Sequence, residues 1–231
     1  MKKRLFILFT VILWPVFLCS QSNDFGVWSN ISLEKNTKKW DFAATAELRS
    51  QSNASELNRS SIQLSTEYLL LKSLKIGTSY QFMYFNDTKY NDFQPRHRGS
   101  LFVQGRQKFG DFTIVLREKI QVTSKDESER IKKSGKIDTY KVNPEWTWRN
   151  RLKVAYNIPD FPINPDISFE TFYQLNNPDG NNFDKLRYTL KLNYKLSKQH
   201  YFELYELIDQ DINVTSPVTS FITGFGYTYC F

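Results

Sequence analysis

The 231-residue chain has only two cysteines and two histidines. Cys19 lies in a leader-like N-terminus, which leaves Cys230 without a second thiol, so an internal disulfide is excluded from the processed chain. Two histidines and so few thiols leave little material for a zinc site, and no metal or cofactor is expected. Long hydrophobic runs are also missing. A spanning helix needs about 20 consecutive apolar residues, and mean hydropathy is −0.51. Only the N-terminal "MKKRLFILFTVILWPVFLCSQ" comes near that length. No long stretch shows a 3.6-residue apolar period, so helices are not the building unit.

The N-terminal stretch has the layout of a secretory signal peptide. Lys2, Lys3 and Arg4 form the positive region, Leu5 to Leu18 the apolar region, and cleavage is expected near Ser20. A membrane anchor is the competing reading, opposed by the short run and by Pro15 within it. Cys19 raises lipid attachment, which the bulky Phe17 and Leu18 oppose. The division is therefore 1–20 signal peptide and 21–231 barrel domain. Removing three of the 31 basic residues and none of the 24 acids leaves 28 against 24, a net charge of +4. A balance that mild gives nucleic-acid binding no support.

Alternation with period 2 is what the chain does have, and it recurs along its whole length. It predicts strands at 25–34, 40–50, 59–71, 74–85, 96–109, 111–122, 144–157, 165–174, 183–196, 199–209 and 219–231. Several exceed ten residues. Strands of soluble proteins run nearer five or six, whereas a tilted strand crossing a bilayer needs about 9–11.

The two faces differ sharply in chemistry. In "EWTWRNRLKVAY" one face is Trp146, Trp148, Asn150, Leu152, Val154 and Tyr156; the other carries Glu145, Thr147, Arg149, Arg151 and Lys153. "DKLRYTLKLNYKL" repeats the pattern. Tight turns at 71–74, 109–111 and 196–199 alternate with longer polar connections at 51–58, 86–95, 123–143, 174–182 and 210–218. Short turns on one side and long loops on the other is the arrangement of outer-membrane barrels, with the short turns periplasmic. Aromatic residues near strand ends, such as Tyr80, Tyr84, Trp146, Trp148, Tyr156 and Tyr173, suit interfacial girdles.

The last stretch, "SFITGFGYTYCF", puts Phe225, Tyr227, Tyr229 and Phe231 on one face, to look at lipid and to serve as a C-terminal membrane-assembly signal. The small residues between them leave room inside. An unpaired strand edge in hydrocarbon is costly, so this strand pairs with an early one. Single-chain bacterial barrels have even strand numbers, and the eleven strands read here imply ten or twelve staves, with "FGVWSNISLEK" the doubtful one.

These stretches resemble a family. "VWSNISLEKNTKKWDFAATAELRS", "RHR", "LREKIQ", "RNRLKVAY", "ISFETFYQLN" and "DKLRYTLKLNYKLSKQHYFELYE", in that order, are similar to the bacterial outer-membrane β-barrels catalogued as domain of unknown function number 2490. The resemblance implies location and fold. It implies no activity and no catalytic residue.

Period 2 places Arg49, Arg98, Arg106, Arg117, Arg149, Arg151, Arg187 and Lys191 on the lumen face, with Glu47, Glu67, Glu145 and Glu170. Two readings stand. One is a binding site or filter for an anionic solute. The other is a packed polar interior whose Arg–Glu pairs satisfy one another, with Glu170 paired to Arg149 or Arg187. Glu118 falls on the apolar face, and a β-bulge that turns it inward is the expected repair; a catalytic or partner-binding carboxylate is the alternative. His97 and His200 belong to opposite rims and cannot share a metal or a proton. Ser100, three positions from His97, lies on the opposite face, so the two form no ready dyad. Loop 123–143 is expected as a solvated or recognition loop.

The sequence therefore predicts an all-β, closed, antiparallel up-and-down transmembrane β-barrel of about 10–12 strands, exported to the outer membrane. Its role is structural, binding, or passage of small and anionic solutes, and it is expected not to be an enzyme. A lipid-modifying or lipid-hydrolysing barrel enzyme, with His97 and Glu118 as candidates, and a soluble periplasmic ligand-binding barrel are the alternatives. The expected partners are outer-membrane lipid and, during biogenesis, the assembly machinery and periplasmic chaperones.

Overall fold

The alternation becomes a single ring of strands. The computed structural model describes residues 22–90 and 92–231, so the stretch expected as a signal peptide, Cys19 included, lies outside the described residues. Eleven strands follow in order: β1 Ser22–Asn36, β2 Trp40–Gln51, β3 Glu56–Leu71, β4 Leu74–Asp87, β5 Asp92–Phe109, β6 Phe112–Lys125, β7 Glu145–Tyr156, β8 Ile163–Gln174, β9 Phe183–Lys195, β10 His200–Asp211 and β11 Val218–Cys230. Each predicted strand is present, and most bounds move by a few residues. Ten neighbouring pairs are antiparallel hairpins. β1 closes the ring on β11, so the terminal strand does pair with an early one.

Eleven staves fall within the expected range of about 10–12, and only the expectation of an even number, ten or twelve, is corrected. An odd number of up-and-down strands can close only through one parallel pair, and β1 and β11 run parallel from Ser22↔Val218 to Glu34↔Cys230. "FGVWSNISLEK" is an ordinary stave of this seam. Closure leaves no edge strand, which lets the backbone of a barrel sit in hydrocarbon with its polar groups paired.

Outward positions carry an apolar belt. Ile31, Leu48, Ile62, Leu64, Leu101, Leu116 and Ile167 are all exposed, an arrangement suited to lipid rather than water. Rings cluster toward both ends of the belt. At the tight-turn end Trp40 meets Tyr68 at 4.8 Å, Phe112 meets Tyr156 at 4.7 Å and Phe202 meets Tyr227 at 5.1 Å. At the long-loop end Tyr84 meets Phe93 at 5.5 Å and Tyr173 meets Phe183 at 4.9 Å. Phe225, Tyr227, Tyr229 and Phe231 belong to this outward set, and the Phe231 N–H donates to the Glu34 carbonyl at 3.0 Å. This is a transmembrane β-barrel fold.

Register shifts occur in three pairs, at Arg49/Ser50, Leu69/Leu71 and Phe172/Tyr173. None interrupts β5, β6 or β7. The bulge expected at Glu118 is therefore absent, and Glu118 stays on the lipid-facing side. It is satisfied there instead: its Oε2 accepts a hydrogen bond from the Trp148 indole Nε1 at 2.8 Å, across the β6–β7 pair.

The inward side of β11 is narrow for a reason set by Tyr205. A Cβ on Gly224 would come within 2.0 Å of the Tyr205 ring, and one on Gly226 within 2.4 Å of Glu203. The small face expected to leave room thus holds two β10 side chains flat against the wall. Trp28, Tyr205, Leu207 and Ile222, all nearly inaccessible, form one apolar cluster on β1, β10 and β11. This apolar wall adds to the charged face that the alternation places in the lumen.

Candidate functional site

Inward positions of the strands form a charged lumen. Arg149 on β7 grips Glu170 on β8 with two bonds, Nε to Oε1 at 3.2 Å and Nη2 to Oε2 at 2.9 Å, and donates Nη1 to Gln121 at 3.0 Å. Arg187 makes the same two-point grip on Asp209, at 2.5 and 2.6 Å. Of the two partners open to Glu170, Arg149 is the one in hydrogen-bond contact. Glu47 takes Arg49 at 2.7 Å and Arg59 at 3.3 Å. Lys191 takes Glu203 at 2.5 Å, and Lys125 takes Glu145 at 2.6 Å. Arg117 lies 2.9 Å from the Gln104 carbonyl oxygen and 3.7 Å from Glu67, which also faces Lys75. Two-point Arg–carboxylate pairs are geometrically demanding. In a lumen they fix the guanidinium planes.

The pairing is uneven around the ring. β6 and β7 set cation opposite cation in two cross-strand rows, Arg117↔Arg151 and Lys119↔Arg149, and the next row adds Lys153 opposite Val115. Like charges directly opposite one another are unfavourable. Among the described residues, Lys119, Arg151 and Lys153 have no carboxylate at ion-pair distance, and the Arg151 Nε has no hydrogen-bond partner at all. Lys119 and Arg117 instead sit over the Phe102 ring at 5.8 and 4.7 Å. Arg98 is held only by Thr123 Oγ1 at 3.1 Å and Gln81 Oε1 at 3.5 Å. Arg106 lines a smaller recess near the tight-turn end, with Gln104 and Lys153.

Two cavities occupy this lumen. One, of ≈ 590 Å³, includes Arg59, Arg98, Lys119 and Phe85; the other, of ≈ 610 Å³, includes Arg117, Arg151, Lys153, Lys191, Tyr205 and Leu207. Trp28, Glu47, Arg49, Arg149 and Arg187 line both cavities. The Arg49 guanidinium stacks 3.4 Å over the Trp28 ring, with Arg187 at 5.3 Å. Stacking on indole is a site where Arg gains beyond its charge.

The long-loop mouth is narrowed by the 126–144 connection, which turns inward. Its Arg130 pairs with Asp87 and Asp138, and stacks 3.8 Å over Tyr140. Tyr140 also donates to Asp87 at 2.9 Å and accepts from Arg96 at 3.1 Å. Asp87 and Arg96 lie on the inward faces of β4 and β5, so the loop is latched across the rim and does not stand free in solvent. Hydrogen bonds from Lys89, Tyr90 and Lys132 hold the Asp138 carboxyl well below the usual carboxylate range.

The histidines stand outside this lumen and apart from each other. His97 faces outward near the long-loop end, its Nδ1 2.7 Å from the Tyr80 hydroxyl. His200 lies at the tight-turn end, its Nδ1 2.8 Å from the Tyr227 hydroxyl. Ser100 is on the lumen side, bonded to Ser79 at 2.7 Å. The serine directly opposite His97 is Ser124, on β6.

Several lumen residues escaped the sequence reading: Arg59, Lys119, Trp28, Tyr205 and Asp209. Lys119 was within reach, since it follows Arg117 by two. Asp209 follows Glu203, Tyr205 and Leu207 on one face, where the apolar pair between the acids disguised it.

Residues 25–217 match the family described as "Protein of unknown function (DUF2490)". No curated protein matches the chain. Solved structures similar to it include a bacterial polysaccharide outer membrane secretin, with a TM-score of 0.48 and 11% identity over 77% of this chain. The chain spans 60% of that secretin's length. The β domain of the Bordetella autotransporter BrkA gives 0.49 and 9%, over 83% of each chain. A porin gives 0.36 and 12%, over 80% of this chain and 56% of its own.

Proposed function

The chain belongs to the DUF2490 family of proteins of unknown function, and from that premise we propose that it is an outer-membrane barrel whose lumen binds small anionic solutes and lets them pass. The observation that carries this reading is the β6–β7 wall, where cations oppose cations and, among the described residues, Lys119, Arg151 and Lys153 have no carboxylate at ion-pair distance, although Arg151 stands opposite Glu170 in the β7–β8 register. A structural lumen gains nothing from such a wall, because unpaired buried charge is costly. A lumen that meets anions uses it as a counter-charge. The signal-like leader and the outward rings of β11 fit export and recognition by the outer-membrane assembly machinery.

Reconstitution in planar bilayers under a potassium chloride gradient tests the reading. The expected reversal potential has the sign of anion preference, falls as salt rises, and drops further with Arg151→Gln. Cation preference, or a potential that Arg151→Gln leaves unchanged, overturns it.

One register relation supports a second reading. His97 and Ser124 face the lipid side by side across β5 and β6, a placement open to a base and a nucleophile acting on membrane lipid. Release of fatty acid from outer-membrane lipids, lost in His97→Ala, is the outcome that favours it; no release from wild type dismisses it.

A further inference from the structure

The lumen is chemically lopsided, and the lopsidedness specifies more than charge. Around the ring, β6 and β7 lie across from β1 and β11. The first pair of strands carries the cationic wall. The second, with β10, carries the apolar cluster of Trp28, Tyr205, Leu207 and Ile222. The ≈ 610 Å³ cavity is lined by both: Trp28, Tyr205 and Leu207 on one side, Arg117, Arg151 and Lys153 on the other. That volume is within the range of sites that hold small organic ligands.

From this we infer that the inner cavity is a binding site for amphipathic organic anions, molecules with a compact apolar or aromatic body and one anionic head. The inference rests on the anion reading above and narrows it. The head group would meet Arg151 and Lys153; the body would lie against Leu207, Tyr205 and the Trp28 edge. A fully hydrated inorganic anion gains nothing from the second wall. An apolar neutral molecule gains nothing from the first.

The acids of the cavity do not cancel its cations. Glu47 is held by Arg49 and Arg59, Glu170 by Arg149, and Glu203 by Lys191 and by Asn30 Nδ2 at 3.2 Å. Asp166 accepts from Asn193 Nδ2 at 2.8 Å, and Glu34 accepts from the Cys230 thiol. The partners of Asp166 and Glu34 in these bonds are neutral, and the lining as a whole carries seven basic side chains against five acidic ones, a positive excess. Among the described residues the buried Arg151 Nε has no hydrogen-bond acceptor, and buried donors are ordinarily satisfied. The apolar side is permanent, because Gly224 lets Tyr205 lie flat where any other residue would displace it.

The test is calorimetry on the full chain in lipid nanodiscs, with empty nanodiscs as the blank. The probes are 2-naphthoate, acetate, inorganic phosphate and neutral 2-naphthalenemethanol. The expected result is 2-naphthoate binding at least about tenfold tighter than acetate, roughly the worth of two buried methylene groups. That binding is lost in Arg151→Gln and weakened in Leu207→Gln. A chain with Trp14, Trp40, Trp146 and Trp148 changed to Phe leaves Trp28 to report, and its emission shifts on adding 2-naphthoate. Acetate and phosphate binding as tightly as 2-naphthoate overturns the inference and leaves the anion reading standing. Equal binding of 2-naphthalenemethanol overturns it from the other side. Failure of every anion to bind removes both. Should Leu207→Gln not form a heat-stable barrel, the four-probe series on the native chain decides alone.

Discussion

Lys119 and Arg149 stand directly opposite each other on the lumen side of the β6–β7 ladder, and among the described residues only Arg149 has a carboxylate, Glu170, at ion-pair distance. The row is an electrostatic cost within the fold. Lys119→Gln is therefore expected to stabilise the barrel, by up to about 1 kcal/mol, while lowering its preference for anions. Urea unfolding of the lipid-reconstituted protein, alongside reversal potentials, measures both. A loss of stability would mean that Lys119 contributes more through Phe102 than it costs against Arg149.

Gly224→Ala forces a collision with the Tyr205 ring. Overpacking of this kind costs about 1–3 kcal/mol. Adding Tyr205→Ala to the same chain is expected to cost less than the two single changes summed, because the clash is gone. Additive effects would show that the glycine serves the backbone rather than the ring.

On the lipid side, Glu118 depends on Trp148. Trp148→Phe leaves the carboxylate without its donor, at about 1–3 kcal/mol. Glu118→Leu is expected to be neutral or stabilising in lipid, because a charged group facing acyl chains is unfavourable, and in that background Trp148→Phe should cost far less. Equal cost of Trp148→Phe in both backgrounds would assign the indole to interfacial anchoring alone.

The loop latch has a wide pH window. Asp138 is held below its ordinary value of 3.8 by hydrogen bonds from Lys89, Tyr90 and Lys132, and Lys89 is held above its ordinary 10.5 chiefly by its bond to Asp138. A depressed carboxyl contributes its full stabilisation above 3.8 and loses it as pH falls through the folded-state value. A raised amine contributes fully below 10.5 and loses it as pH rises further. Hydrogen exchange over 126–144 should thus show no opening from about pH 4.5 to 9.5 beyond the intrinsic rate, with release only under stronger acid or base. Opening near pH 6 would refute the assignment.

The faces of the strands were legible because alternation is a local property. Trp146 and Arg149 point opposite ways whatever β7 pairs with, and the strand bounds followed from the same signal. Pairing direction is not local. Nothing in "FGVWSNISLEK" says whether its neighbour runs up or down, and a rule drawn from even-stranded barrels gave the wrong count. Glu118 was misjudged because its solution, an indole N–H from the next strand, is a cross-strand contact. The same holds for Arg187, whose partner Asp209 is 22 positions away. Tyr205 and Leu207 alternate with acids on β10, and only closure of the ring gathers them with Trp28 and Ile222 into a wall.

The parallel seam between β1 and β11 constrains how such proteins can change size. A hairpin gained or lost adds or removes strands two at a time, so the count stays odd and the seam stays parallel through any such history. Only the gain or loss of an odd number of strands yields an even ring, and that step carries one end of the ring to the opposite membrane face. Lineages that diversify by copying hairpins are thereby held to one arrangement of their ends, with Ser22 and Cys230 on opposite rims, however wide the cylinder becomes.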